Sequence, residues 1–195
     1  MEQEKQFSEK ESLQLINRMI HEAKGYFYES GMAALVYGFS ILICSIISWL
    51  NAKGMISFPF QAFYLLIPIF FVQSFIQLRE EKKKKAKTFT DETIDYVWMG
   101  FFLAVFATCT AAFAGFGYII ISIILILTGL ASFLTGMISK FKYHIVISFV
   151  IWVIAAVSFF FQNETGYILL GATAILTWII PGFILNSTFK KLKHA

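Results

Sequence analysis

The sequence predicts an all-α protein: a bundle of six transmembrane helices in three hairpins, preceded by a cytoplasmic amphipathic helix. Three observations predict it. Of the 195 residues, 58% are apolar and only 14% are charged, where a water-soluble domain carries roughly 25% charge. Five stretches hold no Asp, Glu, Lys or Arg: residues 31–52, 54–78, 96–139, 143–163 and 165–189. A spanning helix needs about 20 mostly apolar residues, so they accommodate one, one, two, one and one spans. Finally, fifteen of the sixteen Lys and Arg fall on one side of the resulting map, with only Lys53 on the other.

The chain divides into a cytoplasmic tail over residues 1–30, a membrane domain over 31–186 and a basic cytoplasmic tail over 187–195. In the first tail, Ser8-Glu9-Lys10-Glu11 matches a capping box, with Ser8 as N-cap and Glu11 reaching back. The predicted helix covers about residues 8–25. Leu13, Ile16, Ile20, Ala23 and Phe27 recur every three or four residues and so share one of its faces. Gly25 weakens the helix end, and a bend is expected between it and Gly31. So short a segment does not fold alone and must lean on something. Six acids stand against four bases in this tail. That balance favours protein over anionic lipid as the support, because interfacial helices carry a basic polar face.

The six spans are expected near Gly31–Leu50, Phe58–Leu78, Tyr96–Phe113, Tyr118–Ile138, Ile145–Phe161 and Tyr167–Leu185. Uniformly apolar segments of this length are not the amphipathic helices of a soluble fold, and they lack the alternation of barrel strands. The turn inside the long third stretch is expected at Ala114-Gly115-Phe116-Gly117. Pro68 and Pro181-Gly182 should distort the second and sixth spans. Small residues (Ala107, Ala111 and Gly115, and Ala104, Thr108 and Ala112, each four apart on the third span; Gly129, Ser132 and Gly136 on the fourth) suggest that these two spans form a tight hairpin. Gly117-Tyr118-Ile119 and Leu127-Thr128 recur 49 residues later as Gly166-Tyr167-Ile168 and Leu176-Thr177, a hint of parallel repeats.

Orientation follows from the bases. Cytoplasmic loops are enriched in Lys and Arg, so both termini are expected in the cytoplasm of a multi-pass protein of the cell membrane. An even number of spans requires the same. Trp49, Tyr118 and Tyr167 fall at the outer interface and Tyr96, Trp98 and Tyr143 at the inner one, where amphipathic rings are favoured. Trp152 and Trp178 lie deeper and are expected to pack. The first apolar run is too long for a signal-peptide h-region, so the first span is expected to insert and stay.

Three groups of residues are candidates for function. The face Leu13, Ile16, Ile20, Ala23 and Phe27 would dock a protein partner or a second copy. The run Lys82, Lys83, Lys84 and Lys85 lies directly below the second span and suits anionic lipid headgroups. Gln61, Gln73 and Gln77 give the second span a polar edge that could serve a neutral-solute path. No catalytic constellation is visible. The three histidines (His21, His144 and His194) are placed at the inner face or in tails, Cys44 and Cys109 are expected as reduced thiols within spans, and no cofactor, metal or nucleic acid is called for. His144 beside Lys140 is the one acid–base foothold.

With Glu11–Gly31 followed by charge-free hairpins, and on the stretch Glu11-Ser12-Leu13…Ala23-Lys24-Gly25-Tyr26, the chain resembles small bacterial polytopic membrane proteins of uncharacterised function that carry an acidic, amphipathic N-terminal helix. Some families of that layout look like membrane partners of transcriptional regulators. The resemblance implies a cytoplasmic helical region paired with a sensing bundle, and it transfers no site residue. The function expected is therefore a non-catalytic membrane component that docks through its N-terminal helix; the alternative is a small permease or transporter subunit for a neutral or lipid-like solute.

Overall fold

The computed structural model describes residues 31–69, 71, 89–110, 119–161 and 164–193. Among them the secondary structure is helical, with no strand. Helix α1 is Met32–Ala52, followed by a 3₁₀ turn at Ala62–Leu65; α2 is Phe89–Thr110, α3 Ile120–Ser139 and α4 Lys142–Ser158. Helix α5, Thr165–Ala174, continues through a π-helical turn at Ile175–Ile179 into α6, Ile180–Lys193. Four helical segments are long and apolar enough to cross a membrane: Met32–Ala52, Phe89–Thr110, Ile120–Ser139 and Thr165–Ser187. At 1.5 Å per residue, the 21 residues of α1 reach about 30 Å, the thickness of a hydrocarbon core. The apolar α4 is shorter, at 17 residues.

The helix ends have local causes. Gly31 precedes α1 with φ 65°, a left-handed conformation that costs other residues roughly 1–2 kcal/mol. After α1, the N–H groups of Lys53 and Met55 return to the carbonyls of Trp49 and Leu50, and Asn51 Oδ1 accepts from Phe58 N–H at 3.0 Å. Between α3 and α4, Lys140 takes φ 56° and Phe141 N–H returns to Gly136 O, a Schellman-type closure. Helix α2 begins seven residues before the expected span, at Phe89 rather than Tyr96. Its first turn carries Asp91 and Glu92, whose charge suits the positive end of the helix dipole. Charge marks where lipid must end, and a helix can continue into water beyond that point.

Close approaches at glycines fix how the helices pair. A Cβ on Gly38 would lie 2.6 Å from Ile179 Cγ1 and 2.9 Å from Trp178 Cβ. One on Gly182 would lie 2.9 Å from Leu35 Cγ, one on Gly171 3.2 Å from Ser45 Cβ, and one on Gly31 would strike Gly182 O. Helix α1 therefore runs antiparallel to the α5–α6 helix along its whole length. Gly129 faces Trp152, and Gly136 faces His144 and Ile145, so α3 and α4 are also antiparallel. Gly129 and Gly136 of the fourth span thus turn toward the fifth. On α2, Ala107 is exposed and a Cβ on Gly100 would meet open space, although α2 does lean on α3.

Helices α3 and α5 run parallel in a shared register. Ile121 packs on Gly166, and Leu125 joins Leu170 and Ala155 in one buried cluster. These pairings give the bundle two ends. Lys53, Ile121, Ser158 and Glu164 lie at one; Gly31, Lys140, Lys142 and Leu185 lie at the other.

Among the described residues, hydroxyls share the interior with aliphatic side chains, and the exterior is apolar. Buried side chains include Ser45, Ser48, Ser132, Thr135, Ser148 and Thr177, among other hydroxyls. On α1 the residues turned outward are Met32, Val36, Phe39, Ile43 and Ile46; on α2 they are Tyr96, Met99, Leu103 and Phe106. Soluble bundles bury such side chains, because exposing a large apolar patch to water is costly. Small residues inside and large apolar ones outside is the arrangement that lipid favours.

Candidate functional site

Beside its buried Leu and Ile side chains, the interior carries many hydroxyls. The Ser122 and Ser158 hydroxyls pair at 2.7 Å across α3 and α4. Thr128 donates to Ile124 O, Ser148 to Ile145 O and Thr173 to Leu170 O, each closing on its own helix. By contrast, the hydroxyls of Ser45, Ser48, Ser132, Thr135 and Thr177 make no hydrogen bond among the described residues, though each is buried.

Beside Thr177 the last helix changes its winding. Ile180 N–H bonds to Ile175 O, an i to i−5 step characteristic of a π turn. The next donor in that register would be residue 181, reaching back to residue 176. Residue 181 is proline and has no N–H. Tyr143 Oη, from the start of α4, supplies the missing donor, bonding to Leu176 O at 2.9 Å. An otherwise orphaned carbonyl is thereby satisfied by a side chain from a neighbouring helix, the means by which membrane helices tolerate proline. Pro181 itself is fully buried.

The π turn also presents Trp178 to two other helices. Its ring lies 4.5 Å from that of Trp98 on α2 and 5.6 Å from that of Tyr37 on α1, and Tyr37 in turn lies 6.1 Å from Phe102. Four aromatic rings from three elements thus meet around the distorted turn. Trp152 packs instead within the α3–α4 pair, against Phe133 and Phe149, and its indole N–H donates to Ile126 O at 3.3 Å.

At the opposite end of the bundle, Lys53 Nζ lies 3.1 Å from Glu164 Oε1 and ties the end of α1 to the start of α5. A backbone hydrogen bond at Glu164, and then the Lys53 ammonium, hold this carboxyl below its ordinary range. Nearby, Cys44 Sγ lies 3.4 Å from Ala62 O, and Phe63 stacks on Tyr167 at 6.1 Å, which seats the 3₁₀ turn against α1 and α5.

The sequence-based candidates fare unevenly. Leu13, Ile16, Ile20, Ala23 and Phe27 lie outside the described residues, as do Lys82, Lys83, Lys84, Lys85, Gln73, Gln77 and Tyr118. Gln61 is described and is exposed just before the 3₁₀ turn, away from the hydroxyl-bearing interior. His144 corrects an expectation. It is buried, with its ring against Phe141 and Tyr143, because its position at the first turn of α4 turns it toward Gly136. Lys140 is exposed in the preceding turn, so the two do not share a solvent-facing site. The Tyr143–Leu176 contact was missed, although Pro181 was its signal: a proline inside a span announces a carbonyl in need of a donor.

Among the described residues no group of His, Cys, Asp or Glu could hold a metal ion. The chain is an all-helical protein with several helices fit to cross a membrane. No protein-family model matches it, and neither a curated protein nor a solved structure does so.

Proposed function

We propose that this is a multi-pass protein of the cell membrane with six spans and both termini in the cytoplasm, acting through interaction and not catalysis, with its N-terminal segment as the docking element. The observation that carries the membrane reading is the apolar exterior, with exposed Val, Ile, Phe and Met along helices long enough to cross a bilayer. Charge supports the orientation. Lys140, Lys142 and the α6 positions 190, 191 and 193 belong to the Gly31 end, while Lys53 stands at the other end and is already paired with Glu164. Positive charge gathers on the cytoplasmic side.

The sixth crossing is supported by geometry. Trp98 lies level with Tyr37 and Trp178, about 10 Å in from the Gly31 end at 1.5 Å per residue. If α2 starts at that end, Asp91, Glu92 and Asp95 reach the headgroups; if it runs the other way, they sink toward mid-membrane, at about 2.5–3.5 kcal/mol for a central Asp. Since α1 finishes at the Lys53 end, this reading needs one crossing between residues 54 and 88; the second span expected at Phe58–Leu78 would supply it, starting later than expected, because residues 58–61 are not helical and Ala62–Leu65 is a 3₁₀ turn.

The docking role gains support from Gly31, where the N-terminal segment joins the bundle. Gly31 and Leu35 press on Gly182 and Leu185, just past the π turn, so force on the segment is delivered to the distorted helix. Affinity capture from native membranes tests the proposal, comparing the parent with Ile16→Asp and Ile20→Asp. Both variants should insert normally and lose partner or self-association. Unchanged capture, or crosslinks from positions 16 and 20 only to the protein's own loops, refutes it.

A further inference from the structure

The α1–α5 seam is open on the side facing away from α3 and α4. Leu42, Ile46 and Trp49 form one wall and Ile168, Ala172 and Ile175 the other, around a groove of about 230 Å³. The groove exists because Gly171, in its floor, has no side chain to fill it: a Cβ there would already lie 3.2 Å from Ser45 Cβ and 3.4 Å from Leu42 Cδ1. Ser45 is the polar residue of the lining, and its hydroxyl is buried and makes no hydrogen bond among the described residues. Ile46 and Ile168 at the rim are each 49% exposed, so the groove opens sideways onto the bundle's outer surface.

We infer that this groove holds one acyl chain of a zwitterionic phospholipid, in the leaflet on the Lys53 side. The inference rests on the membrane reading above and adds a ligand to it. Size argues for a single chain: pockets for drug-sized molecules run about 300–1,000 Å³, and a second helix would need a far wider opening. Chemistry argues for hydrocarbon, since all the lining is apolar apart from Ser45. Charge argues for the headgroup class. Trp49 and Tyr167 lie at the Lys53 end of the groove, at the level where amphipathic rings meet headgroups. Beyond them stand Lys53 and Glu164, partly exposed and of opposite sign, which match a phosphate and an amine together. As a neutral pair they offer no net attraction to an anionic lipid.

The test uses the full-length protein in phosphatidylcholine vesicles doped with a phosphatidylcholine that carries a diazirine in one acyl chain. After illumination, adducts are mapped by mass spectrometry. Peptides covering residues 42–49 and 168–175 should be labelled about fivefold more than the still more exposed α2 surface at Met99, Leu103 and Phe106, a preference within reach of packing forces in lipid. Ala172→Phe, which fills the groove from its rim, should reduce that labelling to the α2 level. Ile46→Phe provides the same block should Ala172→Phe fail to accumulate. Uniform labelling, labelling indifferent to both blocks, or a disulfide-linked dimer through Ile46→Cys overturns the inference. Alkaline carbonate extraction of the same membranes separates these outcomes from failure of the membrane reading, which would release the chain itself.

Discussion

Replacing Tyr143 with Phe removes a single oxygen and keeps the ring that packs on Phe141 and His144. What it loses is the 2.9 Å hydrogen bond to Leu176 O. Two magnitudes bracket the effect. Hydrogen bonds between membrane helices average about 0.6 kcal/mol and reach about 1.7. Stranding a buried acceptor costs about 1–3 kcal/mol. Here no backbone donor can substitute, because Pro181 occupies the position that would have served, so the loss should lie above that average, at about 1–2 kcal/mol. That corresponds to a roughly 5- to 30-fold fall in the folded-to-unfolded ratio. The assay is reversible unfolding in mixed micelles, paired with isotope-edited infrared spectroscopy of a ¹³C-labelled Leu176 carbonyl. Its amide I band should rise in frequency when the phenol is removed. A Tyr143→Phe protein with parental stability and an unmoved band would refute the account of the π turn.

Two further outcomes follow from the same geometry. Gly38→Leu should destabilise the packing of α1 on the π turn by about 1–3 kcal/mol through overpacking, whereas Gly100→Leu should be neutral, because a side chain there enters open space; the same micelle titration compares them. The Glu164 carboxyl titrates below its unfolded range, so its pairing with Lys53 is complete above that range and is lost as pH falls through the lowered folded value. NMR titration of the Glu164 side chain should therefore show a depressed midpoint that rises only in part in Lys53→Met, since the backbone hydrogen bond remains; a full return to the ordinary value would contradict it.

Much of the fold was readable because lipid imposes simple conditions on length and charge. The first span was placed at Gly31–Leu50 and α1 is Met32–Ala52; the fourth was placed at Tyr118–Ile138 and α3 is Ile120–Ser139. Charge was less informative about helix ends, as α2 shows by starting among its acids. Side-chain direction was harder still. Gly31, Gly38 and Ser45 lie seven residues apart on one face of a helix, a wider spacing than the three- and four-residue stripes that mark small faces in sequence. Gly129 and Gly136 were found, but sequence cannot say which neighbour a small face receives. The repeat at an offset of 49 also has a spatial counterpart with a shift: α3 and α5 are parallel, but Ile121 meets Gly166 and Leu125 meets Leu170, an offset of 45. Residues that correspond in the repeat therefore stand about one helical turn apart in height.

The antiparallel pairing of α1 with the α5–α6 helix joins the first of the described helices to the last. Some 113 residues separate Ala52 from Thr165, which at 5–20 residues per second is roughly 6–20 s of translation. Throughout that interval Gly31, Gly38 and Ser45 present a narrow notch to the insertion machinery or to lipid, with their proper partner not yet synthesised. Closure of this seam must await the α5–α6 helix, so a nascent chain truncated before residue 165 would leave the notch unfilled and open to quality-control proteases.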